Sequence, residues 1–226
     1  MELTILIPAK NEKNNLPIVL DELFEIINFN FDYEILVVIP EKDDSLDNLT
    51  EEQIKKIVCY KEKNQGVGNA MIEGSHIAKG EKVIYYFSDG SSDPRDIKRI
   101  YEGLKTNDFV YCSRYMKESK SFDDTLLTYI GNKFFSGLGM IFFNLKISDI
   151  LYTYFGYHKK KFSELKLESK DYRICVEIPI LIQRRNFIYK EISAIERKRI
   201  SGKKNVNEFK DGLLILLQMI KMFFFK

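Results

Sequence analysis

The chain has 226 residues, 45% hydrophobic and 30% charged, and its 35 Lys and Arg against 33 Asp and Glu leave a formal net charge of +2. That length can bury a core without disulfides or a structural metal, and an aromatic content of 13% argues against a disordered chain. The balanced charge argues against bulk nucleic-acid binding, which calls for a clear basic excess.

The N-terminal run Leu3–Ile7 predicts a first strand that Pro8 ends. With no basic segment before it, this run is neither a signal peptide nor an anchor. Further strand-length apolar runs follow at Glu34–Ile39, Ile57–Tyr60, Val83–Phe87 and Phe109–Cys112. Helical spacing lies between them: Leu16, Leu20, Leu23, Phe24 and Ile27, then Ala70, Ile72 and Ile77, then Ile97, Ile100 and Leu104. Strands alternating with helices predict βαβ units and a mostly parallel sheet flanked by helices. Ligands of such sheets sit beyond the carboxyl ends of the strands.

The second half is less regular. Leu126–Ile147 is apolar at helical spacing but interrupted by Gly131, Gly137 and Gly139. The aromatic run Tyr152, Tyr154, Phe155 and Tyr157 reads as core, and His158 with the lysines after it as solvated surface. Val176–Arg185 predicts a helix despite Pro179, Phe187–Ile195 a strand, and Arg197–Lys204 a basic loop. Phe209–Phe225 predicts a last, apolar helix. No window reaches the roughly 18–20 apolar residues that span a bilayer, so the chain reads as cytoplasmic. The last helix, with Lys210, Lys221 and Lys226, suits a membrane interface, core packing or a homodimer contact. Cys59, Cys112 and Cys175 lack CxxC spacing and read as buried free thiols. With only His76 and His158, a His-rich zinc site is not expected.

Three strand ends carry chemistry. Pro8-Ala9-Lys10-Asn11-Glu12 follows the first strand. Asp89-Gly90-Ser91-Ser92-Asp93-Pro94 follows the fourth, where Asp93 and Pro94 read as a helix start but Asp89 reads as a ligand for a hard divalent cation. Asn64-Gln65-Gly66-Val67-Gly68-Asn69-Ala70 joins a strand to a helix, and its paired glycines permit close backbone approach to a phosphate or sugar. Residue 71 is Met, so the dinucleotide fingerprint is absent, and no GxxxxGK[ST] occurs.

In this order the three segments resemble family 2 glycosyltransferases of the GT-A fold, particularly the dolichyl-phosphate mannose synthase-like branch. Ala78-Lys79-Gly80-Glu81, Ser113-Arg114-Tyr115, Ser148-Asp149, Glu177 and Arg199-Ile200-Ser201-Gly202 extend the likeness. The resemblance implies one Rossmann-like GT-A domain over 1–226, with a nucleotide-sugar half (1–115) and an acceptor half (116–226). It implies inverting transfer of a hexose from a UDP- or GDP-linked sugar to a polyprenyl-phosphate, glycolipid or polysaccharide acceptor, aided by Mg²⁺ or Mn²⁺. Such an enzyme would work peripherally at the inner face of the plasma membrane.

By matching position, Pro8, Ala9 and Glu12 would hold the nucleoside, and Gly66 and Gly68 would border the donor. Asp89 and Ser91 would hold the metal, flanked by Ser88 and Gly90 in the nucleotide-sugar site. Phe87 stands where the family's first metal-site Asp would be. After the second strand Glu41 or Asp43 would take the place of the family's acidic pair for the base. Arg199 and Lys203 would close over the phosphates, Arg114 would contact an acceptor phosphate, and Asp149 or Glu177 would be the base for a hydroxyl acceptor. Where the branch has a further basic residue, this chain has Asp124 beside Asp123, and Lys117 and Lys120 could supply charge instead. Phe87 also motivates an alternative, a non-catalytic GT-A-like binding or partner subunit.

Overall fold

The computed structural model describes residues 1–202 and 205–225. Their elements run β1 (Leu3–Pro8), α1 (Leu16–Ile26), β2 (Tyr33–Pro40), α2 (Glu51–Lys55), β3 (Val58–Glu62), α3 (Val67–Ile77), β4 (Lys82–Tyr85), α4 (Arg95–Gly103) and β5 (Phe109–Ser113). Then come β6 (Lys120–Ser121), α5 (Leu126–Phe143), β7 (Phe155–His158), α6 (Lys159–Glu164), α7 (Ile174–Arg184), β8 (Tyr189–Ser193), β9 (Ile195–Glu196) and α8 (Glu208–Phe224). Seven strands form one sheet in the order β3-β2-β1-β4-β7-β5-β8, and β6 pairs with β9 apart from it. Every pair in the large sheet is parallel except those made by β7, which runs antiparallel to both β4 and β5. This is the expected mostly parallel sheet flanked by helices.

Continuous apolar runs make the parallel strands because both faces are covered. Leu3, Ile5 and Ile7 of β1 face one core layer and Leu6 the other. Leu16, Val19, Leu20 and Leu23 put one stripe of α1 onto the first layer. The turn before β4 is set by buried polar groups: Thr4 Oγ1 donates to Glu34 Oε1 (2.7 Å) and accepts from the Gly80 amide (2.9 Å).

The aromatic run is core, as read, but also a strand that the sequence did not announce. Phe155 and Tyr157 of β7 are buried, and Phe155 stacks on Tyr111 at 5.1 Å. Gly156 admits α4: a Cβ there would lie 2.4 Å from Ile100 Cγ2. His158 is not solvated surface; it is half-buried, and its Nε2 lies 2.8 Å from the Leu104 carbonyl oxygen. Cys112 and Cys175 are buried, whereas Cys59 is exposed because β3 is the sheet edge.

Two corrections concern the second half. The glycines do not interrupt α5, whose 18 residues are apolar and long enough to cross a membrane by length and composition, with 22% of them buried. A capping box of Thr125 and Thr128 starts it. Its buried face, including Asn132, Phe135, Ser136 and Gly139, meets α7 and α8. A window of membrane-spanning length and composition is therefore present in α5, against the expectation that none exists. The last helix, Glu208–Phe224, has the 17 residues expected and starts one residue earlier.

Candidate active site

The carboxyl ends of β1 to β4 open on a cavity of about 840 Å³ that continues to α5 and α8. Pro8, Ala9, Lys10 and Glu12 line it after β1, Val38 and Pro40 from β2, Glu62 from β3, and Phe87, Ser88, Asp89 and Ser91 after β4. Arg114, Tyr152 and Glu196 line it beyond, then Leu127, Asn132 and Phe135 of α5 and Ile215 of α8. Residues of both halves of the chain thus form one space.

Asp89 stands at the middle. Its Oδ1 accepts from the Ser91 amide (2.9 Å) and Oγ (2.7 Å), and its Oδ2 pairs with Arg199 Nη2 at 3.0 Å. Arg199 also reaches Asp123 Oδ2 at 3.5 Å. The basic segment is not a free loop, because its backbone is tied to this turn: Arg197 N donates to Ser91 O (2.8 Å) and Ile200 N to Asp89 O (2.9 Å). Ser201 Oγ donates to Asn15 Oδ1 at 2.6 Å, binding the segment to the loop after β1. Gly90, at φ 79°, serves this packing rather than a ligand: a Cβ there would lie 2.5 Å from Ile200 Cδ1. Ser88 donates its hydroxyl to Pro8 O at 2.9 Å. Lys203 lies outside the described residues, as does Lys226.

Glu12 lines the cavity and accepts from Asn15 Nδ2 at 2.5 Å. Burial, reinforced by the nearby Asp89, raises its pKa above the usual carboxylate value. Phe87 packs its ring against Tyr85, Tyr152 and Tyr154, so the position of the family's first metal-site Asp is an aromatic contact. Among the described residues no group of three or more His, Cys, Asp or Glu is arranged to hold a metal ion. The oxygen donors at this turn are the Asp89 carboxylate and the Ser91 hydroxyl, and they already bond to each other and to Arg199.

The glycine pair has a different reason from the one read in the sequence. A Cβ on Gly66 would lie 2.3 Å from Lys170 O, and one on Gly68 2.4 Å from Ser169 O. The close neighbour is the chain's own backbone. Lys170 O accepts from the amides of Gly68 (3.1 Å) and Asn69 (3.3 Å), so the start of α3 is already capped. Gly66 borders the cavity and Gly68 does not. Glu177 holds this arrangement, its carboxylate accepting from the amides of Glu168 (2.9 Å) and Ser169 (2.8 Å). It is buried and away from the cavity, so it shapes the site without reaching it.

Asp149 is likewise sealed. It is 0% exposed, and its carboxylate takes Arg114 Nε (2.7 Å), Arg114 Nη2 (2.9 Å) and the Arg114 amide (3.1 Å). Arg114 Nη1 reaches Asp124 Oδ1 and Glu196 Oε2, both at 3.2 Å. Burial alone would lower the guanidinium's pKa, but Asp149 and then Glu196 hold it charged and keep its pKa well above the ordinary arginine value.

Of the acids offered after β2, Glu41 is exposed and off the cavity. Asp43 is taken up by the amides of Asn11 and Ser45, each at 2.8 Å. The cavity acid in this region is Glu62, at the end of β3. It is 6% exposed, the Gly66 amide serves its carboxylate, and its Oε2 has no partner among the described residues. Burial, reinforced by Glu73 and opposed by that amide, pushes its pKa up to about 7. Its signal was weak: Glu62 sits between Lys61 and Lys63 at the end of an edge strand and reads as one charge among several.

A sequence profile of the family described as Glycosyl transferase family 2 matches residues 4–166. The chain belongs to glycosyl transferase family 2. Among curated relatives of this family 2 chain, the dolichyl-phosphate beta-glucosyltransferase of Mus musculus is 25% identical over 115 residues, covering 46% of the chain and 36% of the relative. The dolichol-phosphate mannosyltransferase of Pyrococcus furiosus is 30% identical over 127 residues, covering 53% and 35%. The match thus spans about a third of either relative's length. Among solved structures, glucosyl-3-phosphoglycerate synthase from Mycobacterium tuberculosis in complex with UDP superposes with a TM-score of 0.71 at 13% identity, covering 97% of this chain and 79% of that one. The same enzyme with Mn²⁺, UDP and glucosyl-3-phosphoglycerate gives 0.68 at 15% identity, covering 100% and 81%. These likenesses establish the GT-A fold.

Proposed function

We propose that this family 2 chain is an inverting hexosyltransferase using a UDP- or GDP-linked sugar. The observation that carries the reading is the single cavity, which joins strand-end nucleotide residues to Asp89 and Arg199 and then to α5 and α8. Pro8, Ala9, Glu12 and Glu62 would hold the nucleoside, and Arg199 would meet the diphosphate. A divalent cation bound with the donor, at Asp89 and Ser91, would stabilise charge on the leaving diphosphate. Calorimetry with UDP-glucose and GDP-mannose, with and without Mg²⁺ or Mn²⁺, followed by a donor-turnover assay, tests this. Absence of binding across both donors would sink it. Binding without turnover would favour the non-catalytic alternative, which Phe87 and the occupied oxygens of Asp89 support.

Glu62 gives this reading a pH signature. In the folded chain it keeps its proton up to about pH 7, against 4.5 for an ordinary glutamate, so its favourable contribution to stability is complete below 4.5 and is lost as pH rises through 7. A nucleobase N–H is served by the ionised form. Affinity for the bound nucleotide sugar is therefore expected to rise about tenfold between pH 6 and 8, following the ionised fraction. Glu62→Gln should flatten the profile; an unchanged slope in the variant would remove Glu62 from base recognition.

We further propose that α5 and α8 seat the protein on a membrane surface. Leu126, Ile130, Phe134 and Ile141 form an exposed apolar stripe on α5, and Phe209, Leu213, Leu217 and Phe224 one on α8. The helices meet where Phe142 and Phe223 pack at 5.5 Å, and both border the cavity. Leu217→Asp with Phe224→Asp should cut flotation with anionic vesicles at least tenfold. Retained flotation would refute the proposal, and a change from dimer to monomer in light scattering would assign the stripe to a second copy instead.

A further inference from the structure

The end of the cavity bounded by α5 has an unusual charge pattern. One guanidinium, Arg114, faces Asp149, Asp124 and Glu196, which leaves a formal charge of −2 on the group. Burial pushes the Glu196 pKa up, yet with Glu196 protonated the group is still negative. The rings of Tyr115 and Tyr152 lie 5.2 and 4.5 Å from Arg114 Cζ. A phosphate arriving here would meet Arg114 together with Asp124 and Glu196, which line the cavity beside it and already engage its guanidinium. The other described cations lining the cavity do not relieve this. Lys10 follows β1 at the nucleotide side, Arg199 is paired with Asp89, and Lys210 stands exposed at the rim on α8.

The same wall suits a neutral polar ligand. Tyr152 lines the cavity, is 3% exposed, and its hydroxyl has no hydrogen-bond partner among the described residues. Asn132 also lines it, donating to Tyr115 Oη at 2.8 Å. Aromatic faces, an amide and carboxylates are groups that bind the alternating C–H and O–H surfaces of a sugar.

Resting on the transferase reading, we infer that the acceptor's reacting group is an uncharged hydroxyl, of a saccharide or similar polyol, and not a phosphate. A phosphate oxygen is already ionised and needs only cations around it, whereas a hydroxyl needs a base. In the step that follows, the acceptor oxygen bonds to the anomeric carbon as that carbon's bond to the diphosphate breaks. The electron pair leaves on the nucleoside diphosphate, and the acceptor proton passes to a cavity carboxylate, with Asp123, Asp124 and Glu196 on that wall. The dolichyl phosphate in the relatives' names is then not the guide to this acceptor.

The test compares octyl β-glucoside with octyl phosphate, which share a tail and differ in head group. Both are titrated below their micelle concentrations into the full chain saturated with nucleotide and Mg²⁺. The glucoside is expected to bind at least tenfold more tightly. Asp124→Asn and, separately, Glu196→Gln should strengthen octyl phosphate binding about fivefold or more without strengthening that of the glucoside. Octyl phosphate binding as tightly as the glucoside in the wild type, or showing no gain in either variant, would overturn the inference. Failure of the nucleotide itself to bind would instead strike the transferase reading and is seen before either ligand is added.

Discussion

Arg114→Met is expected to destabilise the fold by about 3–5 kcal/mol, the cost of leaving buried charges unpaired. The reason lies in the number of groups that depend on one side chain. Asp149 is entirely buried, and Asp124 and Glu196 are nearly so, each within hydrogen-bond reach of the guanidinium. Met matches the volume and supplies no positive charge, so three carboxylates lose their counter-ion together. Urea unfolding should report the loss as a lower midpoint with an unchanged slope. The deficit should shrink on acidification, because protonation removes the charges that have become unpaired. Arg114→Lys should fall between, since an ammonium keeps the charge but not the forked geometry that serves Asp149 with two nitrogens. A loss below about 1 kcal/mol for the Met variant would place it among ordinary surface ion pairs and show that water reaches the group.

Asp89→Asn is expected to lower kcat/KM about 10²–10³-fold while leaving the fold intact, the usual loss when one preorganised charge-stabilising group is removed. The substitution keeps the side chain's shape but weakens its ion pair with Arg199 and would weaken the proposed hold on a cation. The surrounding turn should survive because backbone bonds hold it, from Ile200 N to Asp89 O and from Arg197 N to Ser91 O. Circular dichroism and a thermal melt would verify the fold, and a donor-turnover assay would read the chemistry. A variant within about threefold of wild type would remove Asp89 from the reaction. Supplying excess Mn²⁺ should recover part of the loss if weakened cation binding is the main cause.

How much was legible depended on how local each feature is. Strands β1, β2, β4 and β5 were visible because a strand covered on both faces must be apolar at every position. The carboxyl-end rule then singled out Asp89 without knowledge of the strand order, and the family resemblance added Pro8, Ala9 and Glu12; all four line the cavity. What failed was partner identity. Gly66 and Gly68 were correctly read as places where something approaches the backbone closely, but the neighbour is residues 169–171, about a hundred positions later. Asp149 and Glu177 have the chemistry of a base, yet Arg114 and the amides of residues 168 and 169 consume them. Glu62 was passed over because the strand was ended at Tyr60, two residues before the carboxylate that reaches the cavity. The continuity of α5 was missed because Gly131 and Gly137 suggest breaks. Neither would have anything within 4 Å of an added Cβ, so no close packing asks for either glycine.

The place of β7 bears on how the chain is made. Residues 155–158 separate β4 from β5, so the two blocks of sheet cannot join until that segment has been synthesised. A nascent chain that has just completed β5 at Ser113 displays an unpaired β4 edge of Val83, Ile84 and Tyr85, all destined for burial. Such an edge pairs readily with foreign strands. The central position that knits the sheet together therefore also fixes a stretch of translation, from about residue 85 to residue 158, during which the growing polypeptide is most open to aggregation.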